Sequence, residues 1–190
     1  MVKFVASDLD GTLLLNGAQS VDESAIQYIN KLVDKGVIFA PASGRQITSL
    51  KRLFGAVSDK LAYIAENGAL VEYKGETIGK TAMDRKLALE IIEDVIEQPD
   101  CEVLVSGELY LDLMDTNVNK GRGIEQIQKY FSLNPEECMA FGDNYNDIAM
   151  LDKVYYSYAM EKAVEDVKKH GRFVTGWVEG TLREQFKDIR

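Results

Sequence analysis

Near the amino terminus the chain runs Phe4-Val5-Ala6-Ser7-Asp8-Leu9-Asp10-Gly11-Thr12-Leu13-Leu14. This stretch is an apolar run that ends abruptly in two carboxylates, a glycine and a hydroxyl. Val2, Phe4, Val5 and Ala6 suit a strand buried on both faces, and Gly11 permits the sharp turn by which the chain leaves the sheet. Asp8 then falls at the carboxyl end of the strand, where open α/β sheets bind ligands. Two carboxylates one residue apart at that edge point to a divalent cation, because bringing like charges together without one is costly. Asp-X-Asp-Gly also occurs as an ordinary capped turn, so the weight of the reading comes from the rest of the chain.

Downstream, short apolar strands alternate with amphipathic helices. Asp22 or Ser20 can cap a helix carrying Ile26, Ile29, Leu32 and Val33, which Gly36 ends. Val37 to Ala40 reads as a second strand, broken by Pro41-Ala42-Ser43-Gly44-Arg45 before a helix over Gln46 to Phe54. Leu61 to Ala65 is a third strand, running into Glu66-Asn67-Gly68-Ala69. The alternation predicts a doubly wound parallel α/β sheet with right-handed crossovers.

Between about Leu70 and Asn117 the pattern changes. Leu70 to Tyr73 and Thr77 to Lys80 flank Lys74-Gly75-Glu76 as a hairpin, residues 84–98 read as an amphipathic helix, and 101–105 with 109–114 read as a second hairpin. Hairpin, helix, hairpin is a small α+β insertion, so the chain divides into a core of residues 1–70 and 118–190 and an insertion of 71–117. The parallel pattern then resumes: a helix from Lys120, a strand Cys138 to Phe141 ending in Gly142-Asp143-Asn144-Tyr145-Asn146-Asp147, a helix 147–151, a strand 154–158, a helix 161–170, a strand near Phe173 and a closing helix 181–186.

Composition narrows the function. At 190 residues with 46% apolar content the chain can bury a real core. A formal charge of −9 argues against nucleic-acid or anionic-membrane partners, although a metal and a few cations can still reverse the field locally for an anionic substrate. No apolar run is long enough to span a bilayer, and Asp8 interrupts the amino terminus before a leader's apolar core can form, so a cytoplasmic protein is expected. Cys101 and Cys138 show no paired spacing and read as buried thiols. His170, the one histidine, sits by Lys168, Lys169 and Gly171 at a helix end, which excludes histidine-based nucleophilic or zinc chemistry.

Four polar clusters follow strands or open helices: Asp8 with Asp10, Ser43-Gly44-Arg45, Lys120, and Asp143 with Asn146 and Asp147. The crevice rule brings them to one sheet edge. Together they suit phosphoryl transfer. A carboxylate attacks phosphorus only when its own charge and the phosphate's are neutralised, which Mg2+ held by Asp8 and Asp143 would do. Ser43 and Gly44 can hold phosphate oxygens with a hydroxyl and backbone N–H groups, and Lys120 adds a point charge.

In this order, Asp8-Leu9-Asp10-Gly11-Thr12, Ser43-Gly44-Arg45, Lys120-Gly121 and Gly142-Asp143 followed by Asn146-Asp147 resemble the four motifs of the haloacid dehalogenase superfamily. Glu66-Asn67-Gly68-Ala69 and Ala159-Met160 resemble its Cof-type sugar-phosphatase branch. The resemblance implies that Asp8 is the nucleophile, forming an aspartyl-phosphate, and that Asp10 is the general acid and then the base. It implies magnesium on the Asp8 and Asp143 carboxylates and the Asp10 carbonyl, and phosphate on Ser43, Gly44, Lys120 and Asn146. Thr12 would brace the Asp10 loop, and Asp147 would fix Lys120 or a metal-bound water. Dehalogenating members lack the second aspartate and need no metal, so the presence of Asp10 and Asp143 favours phosphate chemistry.

Two departures stand out. The insertion lies where Cof-type enzymes carry a substantially larger cap domain, so this cap is expected to be reduced and the site open, either to a larger substrate or to a neighbouring subunit in a homo-oligomer. Glu161-Lys162 stand where the family usually has Gly-Asn. The expected activity is a phosphatase of small phosphorylated metabolites, sugar phosphates foremost. A phosphomutase and a non-catalytic phosphate-binding or regulatory module are the alternatives. Arg45 reads as a surface helix residue, Tyr155, Tyr156 and Tyr158 as packing, Glu90, Glu93, Asp94 and Glu97 as a solvated helix face, and Asp112 and Asp115 as substrate-contact candidates; Trp177 fits either the core or the rim of the site.

Overall fold

A computed structural model describes residues 1–82, 86, 87, 90 and 118–189. Strand β1 (Phe4–Ser7) lies at the heart of a five-stranded parallel sheet between β2 (Ile38–Pro41) and β6 (Cys138–Gly142), with β7 (Tyr156–Met160) and β8 (Phe173–Thr175) beyond β6, giving the order β2-β1-β6-β7-β8. Phe4 is in register with Ile38 on one side and Cys138 on the other. Residues of β1 alternate between two cores. Val5, with Phe39, Met139 and Phe141, packs among Ile29 and Leu32 of α1 (Glu23–Asp34) and Leu182 of the last helix. Phe4 and Ala6, with Ala40 and Ala140, pack among Ile124 and Ile127 of α3 (Lys120–Phe131) and Met150 of α4 (Ile148–Leu151). Burial on both faces is why β1 is apolar without alternation. Asp22 caps α1 by accepting the Ser24 N–H at 2.8 Å, and α2 (Ile47–Phe54) begins just after Gln46.

The third strand departs from expectation. β3 (Ala62–Ala65) does not extend the parallel ladder; it pairs antiparallel with β4 (Leu70–Tyr73), which pairs with β5 (Glu76–Lys80), in a separate three-stranded sheet. Its link to the parallel strands is one Ala42–Ile64 bridge and the Ser43 N–H donated to the Ile64 carbonyl at 2.9 Å. At the end of β2, Pro41 has no N–H with which to continue a ladder, and the chain turns into the Ser43 loop. The β4–β5 hairpin turns at Lys74 and Gly75, both at positive φ, and packs Tyr73 edge-on to Phe131 of α3 at 4.8 Å.

Near the carboxyl end several boundaries shift. β7 starts two residues later than expected and takes in Ala159 and Met160; the helix expected over 161–170 shrinks to α5 (Glu165–Lys168). The Glu161 N–H donates to the Thr175 carbonyl of β8 at 2.8 Å, so the chain is still held to the sheet where a helix was anticipated. The last helix, α6, covers Val178–Gln185 rather than 181–186, and Tyr145–Asp147 form a 3-10 turn ahead of α4. The helix expected over 84–98, the strands over 101–105 and 109–114, Cys101, Glu93, Asp94, Glu97, Asp112 and Asp115 lie outside the described residues; Lys86, Leu87 and Glu90 are helical and exposed.

One close approach sets the position of the α3 amino terminus. A Cβ at Gly121 would collide with the Ala149 carbonyl of α4, so glycine lets the two helices meet backbone to backbone and brings the preceding Lys120 inward. Gly121→Ala is expected to push α3 off α4 and lower the unfolding free energy by about 1–3 kcal/mol, measured by urea denaturation.

Candidate active site

At the carboxyl end of β1, Asp8 is 6% exposed and donates its N–H to the Phe141 carbonyl of β6 at 2.9 Å. The chain then folds into a tight turn in which Thr12 and Leu14 both donate N–H groups to the Leu9 carbonyl. Gly11, at φ 91°, is required there: a side chain would collide with the Asp143 carboxylate. Thr12 braces this turn through its backbone, while its hydroxyl donates to Asp143 Oδ1 at 3.1 Å.

Lys120 is the first residue of α3, completely buried, and is aimed between two acids. Its Nζ donates to Asp8 Oδ1 at 2.5 Å and to Asp147 Oδ1 at 2.6 Å. The side chain of Asn119 caps α3 by accepting the Arg122 N–H at 3.0 Å. Asp147 is fully buried too, and its Oδ2 accepts the N–H groups of Asp143 (2.9 Å) and Asn144 (3.0 Å). That side chain therefore closes the 143–147 loop on itself and hands its other oxygen to Lys120.

The cluster is unbalanced in charge. Asp8, Asp143 and Asp147 each offer an oxygen, these oxygens lie within 4.8 Å of one another, and among the described residues a single ammonium faces them. Burial and then Lys120 act in opposite senses on Asp8; burial wins, helped by the Asp147 and Asp143 charges, and its pKa is pushed up from 3.8 to about 7. Asp143 is raised for the same first reason. Burial works against the Lys120 charge, yet the Asp8 and Asp147 carboxylates outweigh it and hold its pKa above the ordinary lysine value. Lys120 thus stays an ammonium, and the surplus negative charge is what a divalent cation would relieve. Both Asp147 oxygens are already hydrogen-bonded, which leaves Asp8 and Asp143 as the pair suited to hold one.

The remaining predicted residues line the other side. Ser43 is buried, and its Oγ accepts the Arg45 N–H at 3.2 Å. Asp10 turns its side chain away from the acid cluster to Arg45, which grips both carboxylate oxygens at 3.1 and 2.7 Å. Arg45 is thus no mere surface helix residue: it precedes α2 and is paired with an expected catalytic acid. Asn146 Nδ2 donates to Asn67 Oδ1 at 3.2 Å. Arg45 and Asn67 are the two site neighbours that residue type alone did not mark, although each lies inside a quoted motif.

Other candidates resolve plainly. Tyr158 stacks between Phe141 and Phe173 at 5.1 and 5.0 Å, and Tyr155 packs edge-on to Tyr156 under the Arg172 guanidinium, so the tyrosines are packing groups. Trp177 is 56% exposed on the rim of a groove of about 470 Å³ that Thr12, Leu13 and Glu179 also line. Lys162 donates to Asn16 Oδ1 at 3.1 Å, tying the departing Glu161-Lys162 turn to the loop after β1. His170 Nδ1 lies 2.8 Å from Asp152 Oδ1. Cys138 is buried, and burial pushes its thiol up to about 11, which leaves it unreactive. Among the described residues no helix is long and apolar enough to cross a membrane.

Comparisons with known proteins identify the family and the fold. A family model described as haloacid dehalogenase-like hydrolase matches residues 5–109 and 97–180. The 5-amino-6-(5-phospho-D-ribitylamino)uracil phosphatase YbjI of Escherichia coli (strain K12) is 22% identical over 246 residues, covering 92% of this chain and 91% of the relative. The crystal structure of SMU.1108c from Streptococcus mutans UA159 superposes with a TM-score of 0.85 at 20% identity, covering 98% of this chain and 100% of that one. The subclass IIB sugar phosphatase BT4131 superposes with a TM-score of 0.70 at 22% identity, covering 98% of each. These structural likenesses establish the fold.

Two outcomes follow from the charge imbalance. Lys120→Met leaves Asp8 and Asp147 buried without their cation and is expected to cost about 3–5 kcal/mol of stability by urea denaturation. With chelator present, the folded protein holds a proton on Asp8 that the unfolded chain has released between pH 3.8 and about 7, so the contribution of Asp8 to stability falls as pH rises through that window. In Asp8→Asn that part of the pH dependence is expected to vanish from melting curves taken between pH 4 and 7.

Proposed function

The chain belongs to the haloacid dehalogenase-like hydrolases, in their Cof-type branch, and from that premise we propose that it is a magnesium-dependent phosphatase of small phosphorylated metabolites, sugar phosphates foremost. One observation carries the reading: three buried or half-buried carboxylates converge at the carboxyl edge of the central strands with one buried ammonium among them. That surplus of negative charge fits a divalent cation. The names of the related phosphatases support the ester chemistry, and the sugar phosphatase BT4131 supports the substrate class.

When bound, magnesium would be held by the Asp8 and Asp143 carboxylates and the Asp10 carbonyl, and would neutralise phosphate charge so that an anion can approach an anion. The protein's own groups do the rest. Ser43, the Gly44 N–H, Lys120 and Asn146 hold the phosphate oxygens, with Lys120 fixed from behind by Asp147. A carboxylate oxygen of Asp8 forms a bond to phosphorus as the bond from phosphorus to the leaving oxygen breaks, and Asp10 gives that oxygen a proton. The Asp10 carboxylate then takes a proton from the water that attacks phosphorus, the Asp8–phosphorus bond breaks, and inorganic phosphate departs. Arg45 holds both Asp10 oxygens in the structure, so it has to yield at least one for Asp10 to reach the leaving group.

The insertion 71–117 is read as a reduced cap. An alignment of 246 positions to YbjI, against a chain of 190, leaves at least 56 positions of that alignment without a residue here, which supports a shortened segment. The phosphomutase alternative needs a cap that keeps water from a bisphosphate, and a reduced one does not suit it. Phe173, Val174 and Trp177 each leave apolar surface exposed in or just after edge strand β8, which is consistent with self-association; that a neighbouring copy covers the site is part of the proposal, and sedimentation showing only monomer removes it.

Hydrolysis of an aryl phosphate is expected with magnesium, to be lost with chelator, and to fall on the order of a thousandfold or more in Asp8→Asn. Activity that survives both treatments contradicts the mechanism. Asp10→Asn is expected to separate substrates by leaving group: aryl phosphates, whose leaving oxygen needs little help, lose far less rate than sugar phosphates, which lose about 10²–10⁴-fold.

A further inference from the structure

Glu66 and Asn67, neither of them glycine, both sit in the left-handed region at φ 53°. Consecutive non-glycine residues hold that conformation only where their surroundings enforce it. The surroundings here are the phosphate-side loop. Glu66 donates its N–H to the Arg45 carbonyl at 3.1 Å and Asn67 donates to the Ser43 carbonyl at 3.0 Å, so the turn grips the Ser43-Gly44-Arg45 loop at both ends. Gly44 lies against the Asn67 side chain, where a Cβ would come within 3.1 Å of its Nδ2. The same side chain reaches a second loop, its Oδ1 accepting from Asn146 Nδ2 at 3.2 Å.

We propose that Asn67 is a positioning residue for phosphate binding: by accepting one hydrogen of the Asn146 amide it orients that side chain so that the other hydrogen faces the phosphate held by Ser43 and Gly44. An amide nitrogen has two hydrogens, and the one given to Asn67 fixes the direction of the other. Asn146 is exposed, so without this partner its side chain would have to be ordered by the phosphate itself, at an entropic cost to binding. The backbone of Asn67 holds one phosphate loop and its side chain holds the other, so a single residue keeps the two in register. This inference rests on the phosphatase reading.

The test is calorimetric binding of inorganic phosphate in the presence of magnesium, in a double-substitution cycle. Asn146→Ala is expected to weaken binding about tenfold in the wild-type background. In Asn67→Gly, whose backbone suits glycine and keeps both N–H bonds, the same change is expected to matter about twofold or less. In Asn67→Asp, which tolerates the left-handed backbone and keeps an acceptor, the factor returns to about tenfold, and the effect of the added charge cancels in the ratio. An equal factor in the wild-type and glycine backgrounds overturns the role of Asn67 while leaving the phosphatase reading intact; a wild-type protein that binds no phosphate overturns both. One measurement needs no change at position 67. The Asn146 side-chain amide, identified by its loss in Asn146→Ala, is expected to give two proton resonances dispersed from those of solvent-exposed amides before phosphate is added, and a solvent-averaged pair overturns the proposal.

Discussion

Everything at this sheet edge depends on one buried ammonium. Lys120, with no exposed surface, lies between Asp8 on the central strand and Asp147 on the loop after β6, and so joins the first half of the core to the second. A charge is expensive to bury, and this one is tolerable because two carboxylates surround it at hydrogen-bond distance. The reverse holds for the acids: with Lys120 withdrawn, Asp8 and Asp147 would share a dry pocket with no counter-charge. The ion cluster therefore serves structure and chemistry together, and that is why the packing around it is so specific. Gly121 lets α3 come close to α4, Gly11 makes room for Asp143, and Asn119 caps the helix that presents Lys120.

One ammonium does not balance three acids, and the remainder is the chemical content of the site. Burial pushes Asp8 up to about 7, since Lys120 only partly offsets it and the Asp147 and Asp143 charges add to it. For the nucleophilic role proposed for Asp8 its carboxylate has to be ionised, which a divalent cation shared by Asp8 and Asp143 would favour. Asp10 stands apart from this cluster, its carboxylate held by Arg45.

Much of this was legible in the chain itself. The apolar Phe4-Val5-Ala6 ahead of Asp8 marked a strand buried on both faces, and the four polar clusters fell where strands end or helices begin, so the sheet edge could be assembled from the sequence. Lys120 is a different case: as a lone lysine it would ordinarily be solvated, and only its place after the insertion and before Gly121 singled it out. What the sequence hid was pairing. β3 looks like any strand of a parallel sheet, and its switch to an antiparallel partner depends on the hairpin that follows rather than on its own residues. Ala159 and Met160 read as lying past the strand, whereas β7 takes them in and the Glu161 N–H is still bonded to β8. Arg45 and Asn67 escaped for a related reason, since their partners Asp10 and Asn146 lie 35 and 79 residues away and no local pattern announces such a contact.

On the proposed function, a divalent cation completes the charge balance between Asp8 and Asp143. Anomalous diffraction from crystals soaked in manganese, used in place of magnesium, would locate that cation. A single strong peak bridging the Asp8 and Asp143 carboxylates, with Lys120 still on Asp8 and Asp147, is the predicted result. A cation bound elsewhere while those two carboxylates stay empty, or no cation at millimolar manganese, would contradict it.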